Sequence, residues 1–430
     1  MNRIKNIRAG QRSHTAFVPC IVLILLFLVL MIPLILKPDI DTFDCQDETE
    51  YHYPTILKFA EEFPALDLRN YLSATTPLYH LFLTIPTLLF GPGVIQLRLI
   101  NAAISLICLL MAYRILSRRG DMQKALFFSI FFLISPYFVG PSVRISTDNV
   151  AFLFMLLSIQ AMESGSQTQL QYIRTNGIML CTIMVRQIYA WLLGAYTIFH
   201  LMRKKTHQDV PLLQMIWPMI IPVAFLTCFI LLWKGLAPPL FAEGNTATRL
   251  NWDVPVYVVS LIGLYGSFLG LWLIRLFGEN KGKGQHLAFL VLFAIVYLLV
   301  HPVSNEYPFM DKSLGDRGGA LWMAVSFLPN FLSSSVLLWV LFPVGLIWLY
   351  TMARYLASRR EYLMMICFVL WLASTMVSSH TYQKYYDLFL IFLLGYVLVP
   401  EKTEDPILYW IGPSMLIAGF LGMTIMRFYF

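Results

Sequence analysis

Carboxylates crowd together near the start of the chain. Six of them fall within twelve positions: Asp39, Asp41, Asp44, Asp47, Glu48 and Glu50. The earlier aspartates are typical of a solvated acidic loop. Asp47 and Glu48 instead end an extended stretch and open a helical pattern, where the helix dipole favours an ionised carboxylate. Because an ionised carboxylate can act as a general base on a hydroxyl group, Asp47 and Glu48 are candidate catalytic residues.

Two histidines accompany these acids, His52 close by and His80 further along the chain. His52 together with Glu48 or Glu50 offers the ligand types of a divalent-metal site. A lone histidine at a helix start is, however, more often a hydrogen-bonded structural residue. We therefore predict neither a metal nor another cofactor, with a divalent metal as the alternative. Both histidines are kept as candidate substrate-binding residues.

The stretch SVRISTDNV, residues 142–150, carries a second candidate set. Arg144 and Asp148 are spaced for an ion pair within one helix, which is the simpler interpretation. Ionisable residues within long apolar sequences are costly, however, and mark functional sites by default. We expect Arg144 to bind phosphate, and Asp148 to orient that arginine or to assist the base, which makes Asp148 a third candidate catalytic residue.

A third signal is Arg186, which breaks the apolar stretch IMVRQIYAWL at residues 183–192. Basic residues flank the surrounding apolar run on both sides, so the chain has to cross the bilayer twice and turn at Arg186. The planar fork of its guanidinium fits a phosphodiester. The alternative is an arginine that merely extends to the membrane interface.

Three later stretches, at residues 243–253, 301–319 and 378–388, mix a basic residue with carboxylates and aromatic side chains. Their candidate phosphate contacts are Arg249, Arg317 and Lys384, and their candidate sugar-stacking residues are Trp252, Tyr307, Tyr382 and Tyr385. Aromatic residues at a membrane edge are also common as interface anchors, which is the alternative for each of them.

The composition places these residues in a membrane protein. Of 430 residues, 58% are hydrophobic and 13% are charged, whereas soluble domains are roughly 25% charged. Apolar runs near the ~20-residue length of a spanning helix recur from end to end. The net charge of +7 comes from basic residues in short loops between these runs. That pattern is typical of inward-facing loops and excludes a nucleic-acid-binding surface.

These runs predict an all-α, polytopic membrane fold of about thirteen transmembrane helices in a single domain, residues 1–430. We place the helices at residues 16–37, 93–117, 125–140, 147–163, 175–187, 188–202, 212–233, 254–277, 287–300, 335–352, 362–378, 388–399 and 407–426. The proline-broken segment 77–91 is an interfacial helix or a fourteenth span. With the N-terminus inside, 19 of the 31 Lys and Arg residues face inwards and 16 of the 24 acids face outwards. The large first exterior loop, residues 38–92, then shares one face with the later candidate stretches.

Four short motifs resemble the GT-C superfamily of polyprenyl-phosphate-sugar glycosyltransferases, and within it the dolichyl-phosphate-glucose-dependent α-1,2-glucosyltransferases. That family carries Asp-Glu followed by an aromatic-histidine pair and a proline, similar to Asp47, Glu48, Tyr51, His52 and Pro54. Its Thr-Thr-Pro turn before Leu-Tyr is similar to residues 75–79. Its Phe-Arg-Gln resembles residues 185–187, and its Arg-Tyr-Tyr resembles residues 384–386, where this chain has lysine first.

The resemblance implies an enzyme that transfers a hexose, with inversion, from a polyprenyl-phosphate donor to a glycan, lipid or protein acceptor. Arginine and lysine would hold the leaving phosphate, a carboxylate of the first loop would deprotonate the acceptor, and Tyr79, Gln187 and Tyr385 would contact substrate. The acidic pair lies one residue further from His52 than in the family, so the resemblance leaves open whether Asp47 or Glu48 is the base.

Two other classes of membrane protein fit parts of the pattern. A lipid-linked polysaccharide polymerase or ligase is also polytopic, but it typically carries its essential loops late in the chain. A transporter is a third interpretation, although few charges lie in mid-helix and no repeat occurs. The sequence has no N-x-[ST] sequon, which favours a bacterial inner membrane over the endoplasmic reticulum membrane.

Overall fold

The computed structural model describes residues 2–37, 43–164, 168–204, 213, 216–241, 250–278, 284–305, 317–400 and 406–429. Helices make up most of these residues, and each strand is only two residues long. The fold is all-α, as the apolar runs predict.

The first half of the described chain holds ten α-helices. They are α1 (Asn2–Leu36), α2 (Phe43–Gln46), α3 (Tyr53–Glu62), α4 (Leu78–Phe90), α5 (Val94–Ser117), α6 (Met122–Ile134), α7 (Pro136–Val143), α8 (Asp148–Glu163), α9 (Gln169–Val185) and α10 (Trp191–Lys204). A π-helical segment, Asp47–His52, joins α2 to α3, and a 3-10 helix, Gln187–Ala190, precedes α10.

The second half adds nine α-helices and four short strands among the described residues. The helices are α11 (Ile220–Trp233), α12 (Asp253–Phe268), α13 (Gly270–Gly278), α14 (Gly284–Val300), α15 (Ala320–Ser326), α16 (Val336–Ser358), α17 (Tyr362–Thr375), α18 (Asp387–Leu398) and α19 (Leu408–Tyr429). The strands are β1 (Arg317–Gly318), β2 (Asn330–Phe331), β3 (Ser334–Ser335) and β4 (Thr381–Tyr382), and 3-10 helices lie at Trp217–Met219 and Gln383–Tyr385.

Each of the thirteen predicted transmembrane positions coincides with a helix or a broken pair of helices. In the described part of the chain, four helices are individually long and apolar enough to cross a bilayer: α1 from Val18, α5, α16 and α19. Two bent pairs, α6 with α7 and α12 with α13, raise this number to six if each pair is one span. The chain is therefore a polytopic membrane protein, while the membrane depth of its shorter helices stays a prediction.

Two helices that the sequence predicts as continuous are broken, which corrects the prediction. The predicted helix 125–140 consists of α6 and α7, whose axes differ by 60°, and 254–277 consists of α12 and α13, at 98°. The first break has a clear cause, because Pro136 disfavours helical backbone at the residue before it. Ser135 is accordingly extended, and its hydroxyl accepts a hydrogen bond from the Tyr137 N–H at 3.3 Å, which caps α7.

Helices α12 and α16 cross in close backbone contact. A Cβ atom at Gly263 would lie 2.2 Å from the Leu341 carbonyl oxygen, and one at Gly345 would lie 1.8 Å from that of Val259. Small residues permit such close crossings between membrane helices. This contact fixes α12, which carries two tyrosines that reach the candidate site.

Most of the candidate residues lie on or next to the segments that link helices, and Tyr79 and His80 lie in α4. The π-helical segment follows α1 and α2, residues 144–147 join α7 to α8, and Arg186 lies between α9 and the 3-10 helix before α10. Strand β1 pairs in parallel with β4, so that Arg317 lies opposite Thr381. This pairing brings the 317–319 backbone beside the turn that carries Lys384.

Candidate active site

An ion pair links the first exterior loop to the turn after β4. Asp47 Oδ2 and Lys384 Nζ are 2.7 Å apart, and the Asp47 side chain is 37% exposed. Burial raises the pKa of Asp47, but the positive charges of Lys384 and Arg186 outweigh this effect and hold the pKa below its usual range. Asp47 is therefore an ionised carboxylate that solvent can reach.

A second ion pair joins Asp148, the first residue of α8, to Arg186. The other oxygen of Asp148 accepts a hydrogen bond from the Ser146 hydroxyl at 3.2 Å. Asp148 thus has its ion-pair partner across the fold, on the turn after α9, and not one helical turn away at Arg144. The sequence predicts that Asp148 orients Arg144, whereas the carboxylate pairs with Arg186. Its assistance to the base stays a prediction.

Tyr385 lies against the cations of both pairs. Its ring centroid is 5.4 Å from the Arg186 guanidinium carbon and 5.7 Å from Lys384 Nζ, within cation–π range. We call Asp47, Asp148, Arg186, Lys384 and Tyr385 the charged cluster. It combines two cations that suit a phosphate, an aromatic ring that suits a sugar face, and an accessible carboxylate that suits a base.

Glu48 takes a different environment from its neighbour Asp47. Its side chain is buried, and each carboxylate oxygen lies 3.0 Å from Arg98 Nε, with a further bond from Arg98 Nη2. Its Oε2 also accepts the Ile145 N–H at 2.8 Å. Because these donors occupy both oxygens, the geometry favours Asp47 over Glu48 for proton transfer.

The local backbone explains why adjacent acids diverge. The sequence predicts that Asp47 and Glu48 end an extended stretch, but the residues directly before them form α2, and the correction is that the acids open a π-helical turn within helical chain. A π-helix bonds residue i to residue i+5, and such turns occur frequently at functional sites. This spacing places His52 next to Asp47, and the negative charge of Asp47 favours the protonated form of the imidazole.

Arg144 lies inside the protein and not at a membrane-facing mouth. Its side chain is 1% exposed, its Nη1 is 3.8 Å from Glu48 Oε1, and both terminal nitrogens lie 3.4 Å from the Lys37 carbonyl oxygen. Arg144 thus contacts the same buried region as Glu48. Phosphate binding by Arg144 stays a prediction.

His52 and His80 form a buried hydrogen bond, with Nδ1 of the first 2.9 Å from Nε2 of the second. Burial lowers the pKa of His52 to about 4, against a smaller opposing effect of Asp47. Tyr79 is also buried, where its hydroxyl donates to Asn101 Oδ1 at 2.9 Å and accepts the Ser146 N–H at 3.0 Å. All three side chains serve as internal supports here, and their contact with substrate stays a prediction.

Gln187 fastens three segments around the Arg186 turn. Its amide nitrogen donates to the carbonyls of Ala74 and Leu236 at 2.7 and 2.8 Å, and its amide oxygen accepts the Thr76 N–H at 3.2 Å. The Thr76 hydroxyl in turn donates to the Ile183 carbonyl at 2.6 Å. These bonds tie the first exterior loop to the turn that carries Arg186.

A buried polar network holds the Lys384 turn. Asp387 accepts hydrogen bonds from Ser135 at 2.7 Å, from Gln383 at 3.2 Å and from Tyr265. The Gln383 amide oxygen also accepts from the Tyr257 hydroxyl at 3.1 Å. Because Gln383 and Asp387 flank Lys384 and Tyr385 in sequence, this network fixes the backbone from which both side chains project.

The later candidate stretches are described in part, and Tyr307 lies outside the described residues. Arg249 lies outside the described residues. The structure gives the Arg317 backbone, which pairs with Thr381, and this places the residue in the neighbourhood of the Lys384 turn. Two contributors were missed at the sequence level, Arg98 and Asp387. The available signal was a charge inside an apolar helical run, which is costly unless it is paired.

Among the described residues, ion pairs define the candidate site. Within the described ranges, no group of three or more His, Cys, Asp or Glu side chains is placed to hold a metal ion. A cavity of about 400 Å³ lies beside the Glu48–Arg98 pair. Its lining consists of Leu36, Glu48, Thr49, Tyr53, Val94, Ile95 and Arg98. No residue of the charged cluster lines this cavity, although Asp47 directly precedes Glu48, which does.

Comparisons with known proteins gave matches among solved structures. No protein family matches the chain, and no curated protein does. The matching structures include two of ArnT from Cupriavidus metallidurans, one bound to undecaprenyl phosphate and one in the apo state, at 14% and 13% identity. Each has a TM-score of 0.41 and covers 90% of this chain and 78% of ArnT. A likeness of this size assigns no activity, so the function has to be argued from the charged cluster.

Proposed function

We propose that this protein is a membrane glycosyltransferase that moves a hexose from a polyprenyl-phosphate donor to an acceptor hydroxyl on the exterior or luminal face. The observation that carries the proposal is the charged cluster, which unites an accessible carboxylate, Asp47, with two cations, Lys384 and Arg186. General-base catalysis on a hydroxyl and stabilisation of a departing phosphate need these two kinds of group side by side.

The cations would bind the donor phosphate. Lys384 offers a point charge and Arg186 a planar fork, and both can contact phosphate oxygens. As the bond from the anomeric carbon to the phosphate oxygen breaks, negative charge grows on the leaving polyprenyl phosphate. Preformed cations stabilise that charge more in the transition state than in the ground state, which is the requirement for rate acceleration.

Asp47 would act as the base. A phosphate oxygen that takes over Lys384 removes the ion pair that keeps the Asp47 pKa low, so the basicity of the carboxylate rises as the donor binds. The acceptor hydroxyl then attacks the anomeric carbon from the face opposite the phosphate. The new carbon–oxygen bond forms, the old one breaks, the hydroxyl proton passes to Asp47, and the sugar configuration inverts.

The sugar and the acceptor are finer parts of the proposal. The resemblance of residues 47–54, 75–79, 185–187 and 384–386 to dolichyl-phosphate-glucose-dependent enzymes favours glucose. Tyr385 offers a ring for a hexose face, since it already lies between the two cations. The acceptor is a glycan, lipid or protein hydroxyl, and a bacterial inner membrane is the favoured location. No nucleotide, nucleic acid or metal enters the proposed reaction.

A donor assay tests the proposal. Purified protein in detergent is offered radiolabelled polyprenyl-phosphate glucose, mannose and arabinose, with membrane lipid extract as acceptor, with and without chelator. We expect transfer from the glucose donor that is insensitive to chelator and is lost in Asp47→Asn. Glu61→Gln, which alters an exposed carboxylate of the same loop, is the matched control and should keep full activity. Folded protein that transfers none of the sugars would favour a polymerase, ligase or transporter instead.

A further inference from the structure

Arg98 has no part in the reaction just proposed, yet its guanidinium contacts both Glu48 and the end of α1. It projects from α5 and is 5% exposed. Its guanidinium meets Glu48 through Nε and Nη2, and its Nη1 lies 3.4 Å from the carbonyl oxygens of Ile35 and Lys37. One arginine therefore connects α5, the end of α1 and the π-helical segment. We propose that Arg98, through Glu48, is the positioning residue for Asp47, an inference that rests on the proposed role of Asp47 as the base.

Glu48 links Arg98 to Asp47, because two segments of the chain hold its carboxylate. Arg98 holds it from α5, and the Ile145 N–H donates to its Oε2 at 2.8 Å. Asp47 directly precedes Glu48, and Ile145 lies on the segment that leads into Asp148. A single carboxylate thus fixes both backbone segments that carry the carboxylates of the charged cluster. Loss of the Arg98 contact should release both segments together.

The π-helical turn explains how the Arg98–Glu48 contact determines the position of Asp47. With Glu48 fixed against α5, the neighbouring Asp47 side chain is directed to Lys384, 2.7 Å away. A π-helical turn is a rare backbone arrangement that persists where surrounding contacts determine it. Displacement of a reacting group by about 1 Å can cost about 100-fold in rate, so the effect should fall on kcat and spare the binding of donor.

The buried pair is weak as a device for stability alone. Desolvation of two charges consumes most of their attraction, and replacement of both partners by neutral groups is often tolerated. The double variant Arg98→Met/Glu48→Gln removes both charges while the glutamine oxygen can still accept the Ile145 N–H. Arg144, which also lies against Glu48, keeps its bonds to the Lys37 carbonyl oxygen. Thermal unfolding of the same variant therefore separates a loss of position from a loss of folding. Arg98→Lys retains the charge but loses the fork, and is the milder variant.

A second ion pair in the molecule supplies the control. Arg119, just beyond α5, pairs with Glu361, and its Nε donates to the Tyr396 carbonyl at 3.1 Å. Arg119→Met/Glu361→Gln makes the same chemical change at a partly buried pair without contact to Asp47. Any general effect of removing an arginine–glutamate pair should appear equally in this variant.

The experiment combines steady-state kinetics over pH with hydrogen exchange of the peptide that spans residues 47–53. For Arg98→Met/Glu48→Gln we expect kcat to fall about 100-fold with the donor KM within about twofold. We expect the acidic limb of the kcat/KM profile to move to higher pH, because Asp47 leaves Lys384 in the free protein, and peptide exchange to become at least about tenfold faster. Arg98→Lys should show the same changes at about one tenth of the size, and the Arg119→Met/Glu361→Gln control none of them.

Two results would overturn the inference. One is a kcat within about twofold of the wild type in the double variant. The other is a lower kcat with an unchanged acidic limb and unchanged exchange of residues 47–53, which would show a general structural role. If the wild type transfers no sugar, the proposed function fails, but exchange of the same peptide still decides whether Arg98 holds the segment.

Discussion

The Asp47 carboxylate and the Lys384 ammonium are 2.7 Å apart, although 337 positions separate them in the chain. The contact joins the loop after the first membrane helix to the turn before α18. Ion pairs at exposed positions contribute little to stability, so the fold gains little from this one. Its consequence is electrostatic, because the Lys384 ammonium lies beside the proposed base and also at the proposed binding site of the leaving phosphate.

Replacement of Lys384 by methionine should change how activity depends on pH. In the free protein the lysine lowers the Asp47 pKa, so its removal should raise that pKa and move the acidic limb of the kcat/KM profile to higher pH. Loss of a phosphate contact should also reduce kcat/KM about tenfold to 100-fold. Lys58→Met is the control, because Lys58 pairs with Glu62 at 3.6 Å on the surface of α3. An acidic limb that stays in place would contradict the assignment of Asp47 as the base.

Asn and Gln substitutions at the two adjacent acids should have opposite consequences. Asp47→Asn should lower kcat about 100-fold to 10,000-fold and leave the unfolding free energy within about 1 kcal/mol, because the side chain is over a third exposed. Glu48→Gln leaves the buried Arg98 unpaired and should cost about 3–5 kcal/mol of stability. Thermal unfolding in detergent and donor kinetics on both proteins check this. A destabilised Asp47→Asn with normal kcat would reverse the assignment.

The sequence was informative where a signal is local. Apolar runs predict the helices, and Arg186 stands out because a charge interrupts an apolar stretch. Asp47 stands out because it opens a helical pattern within an acidic cluster. The bend at Ser135–Pro136 also has a local signal, the proline, which a count of apolar residues overlooks. These features depend on neighbours in the chain.

The sequence does not predict which of these charged residues pair with one another. Arg144 and Asp148 are spaced for a helical ion pair, yet Asp148 pairs with Arg186 and Arg144 lies against Glu48. The reason is that residues 144–147 leave the helix, which redirects both side chains. Asp47 and Glu48 are equivalent in sequence, and long-range contacts distinguish them, with Lys384 at Asp47 and with Arg98 and Ile145 at Glu48.

The Arg186–Asp148 pair predicts how a substitution of Arg186 should change the binding of the donor phosphate. Arg186→Lys retains a positive charge but loses the fork that contacts two oxygens, so the donor KM should rise about tenfold with a smaller change in kcat. Inhibition by polyprenyl phosphate, the lipid product of the proposed reaction, should weaken in parallel, because it shares the phosphate group with the donor. Arg69→Lys, an exposed arginine of the first loop, is the control. Unchanged donor KM and inhibition would place the phosphate elsewhere.

Gly319→Ala should disturb the charged cluster, although Gly319 does not belong to it. Gly319 has φ +129°, which L-residues rarely adopt, and a Cβ there would lie 2.3 Å from the Gln383 Cβ. The substitution forces the 317–319 backbone away from the turn that carries Lys384, at a cost of about 1–3 kcal/mol or more. Transfer activity should fall at least about tenfold. Gly177→Ala, which has open space around its Cβ position, is the matched control. Equal activity in the two variants would show that the turn is held independently of Gly319.

The buried His52–His80 pair should make stability fall in mild acid. Burial lowers the His52 pKa from 6.5 to about 4, so between these values the unfolded chain binds more protons than the folded one. The unfolding free energy should therefore decline as the pH drops from about 6.5 to about 4, by up to about 3 kcal/mol from this group. His52→Gln can still bond to His80 but does not titrate, so its unfolding temperature should decline less steeply over this range. Thermal unfolding of both proteins in detergent, from neutral pH downwards, measures the difference in slope. Parallel curves would show that His52 is not a buried neutral imidazole.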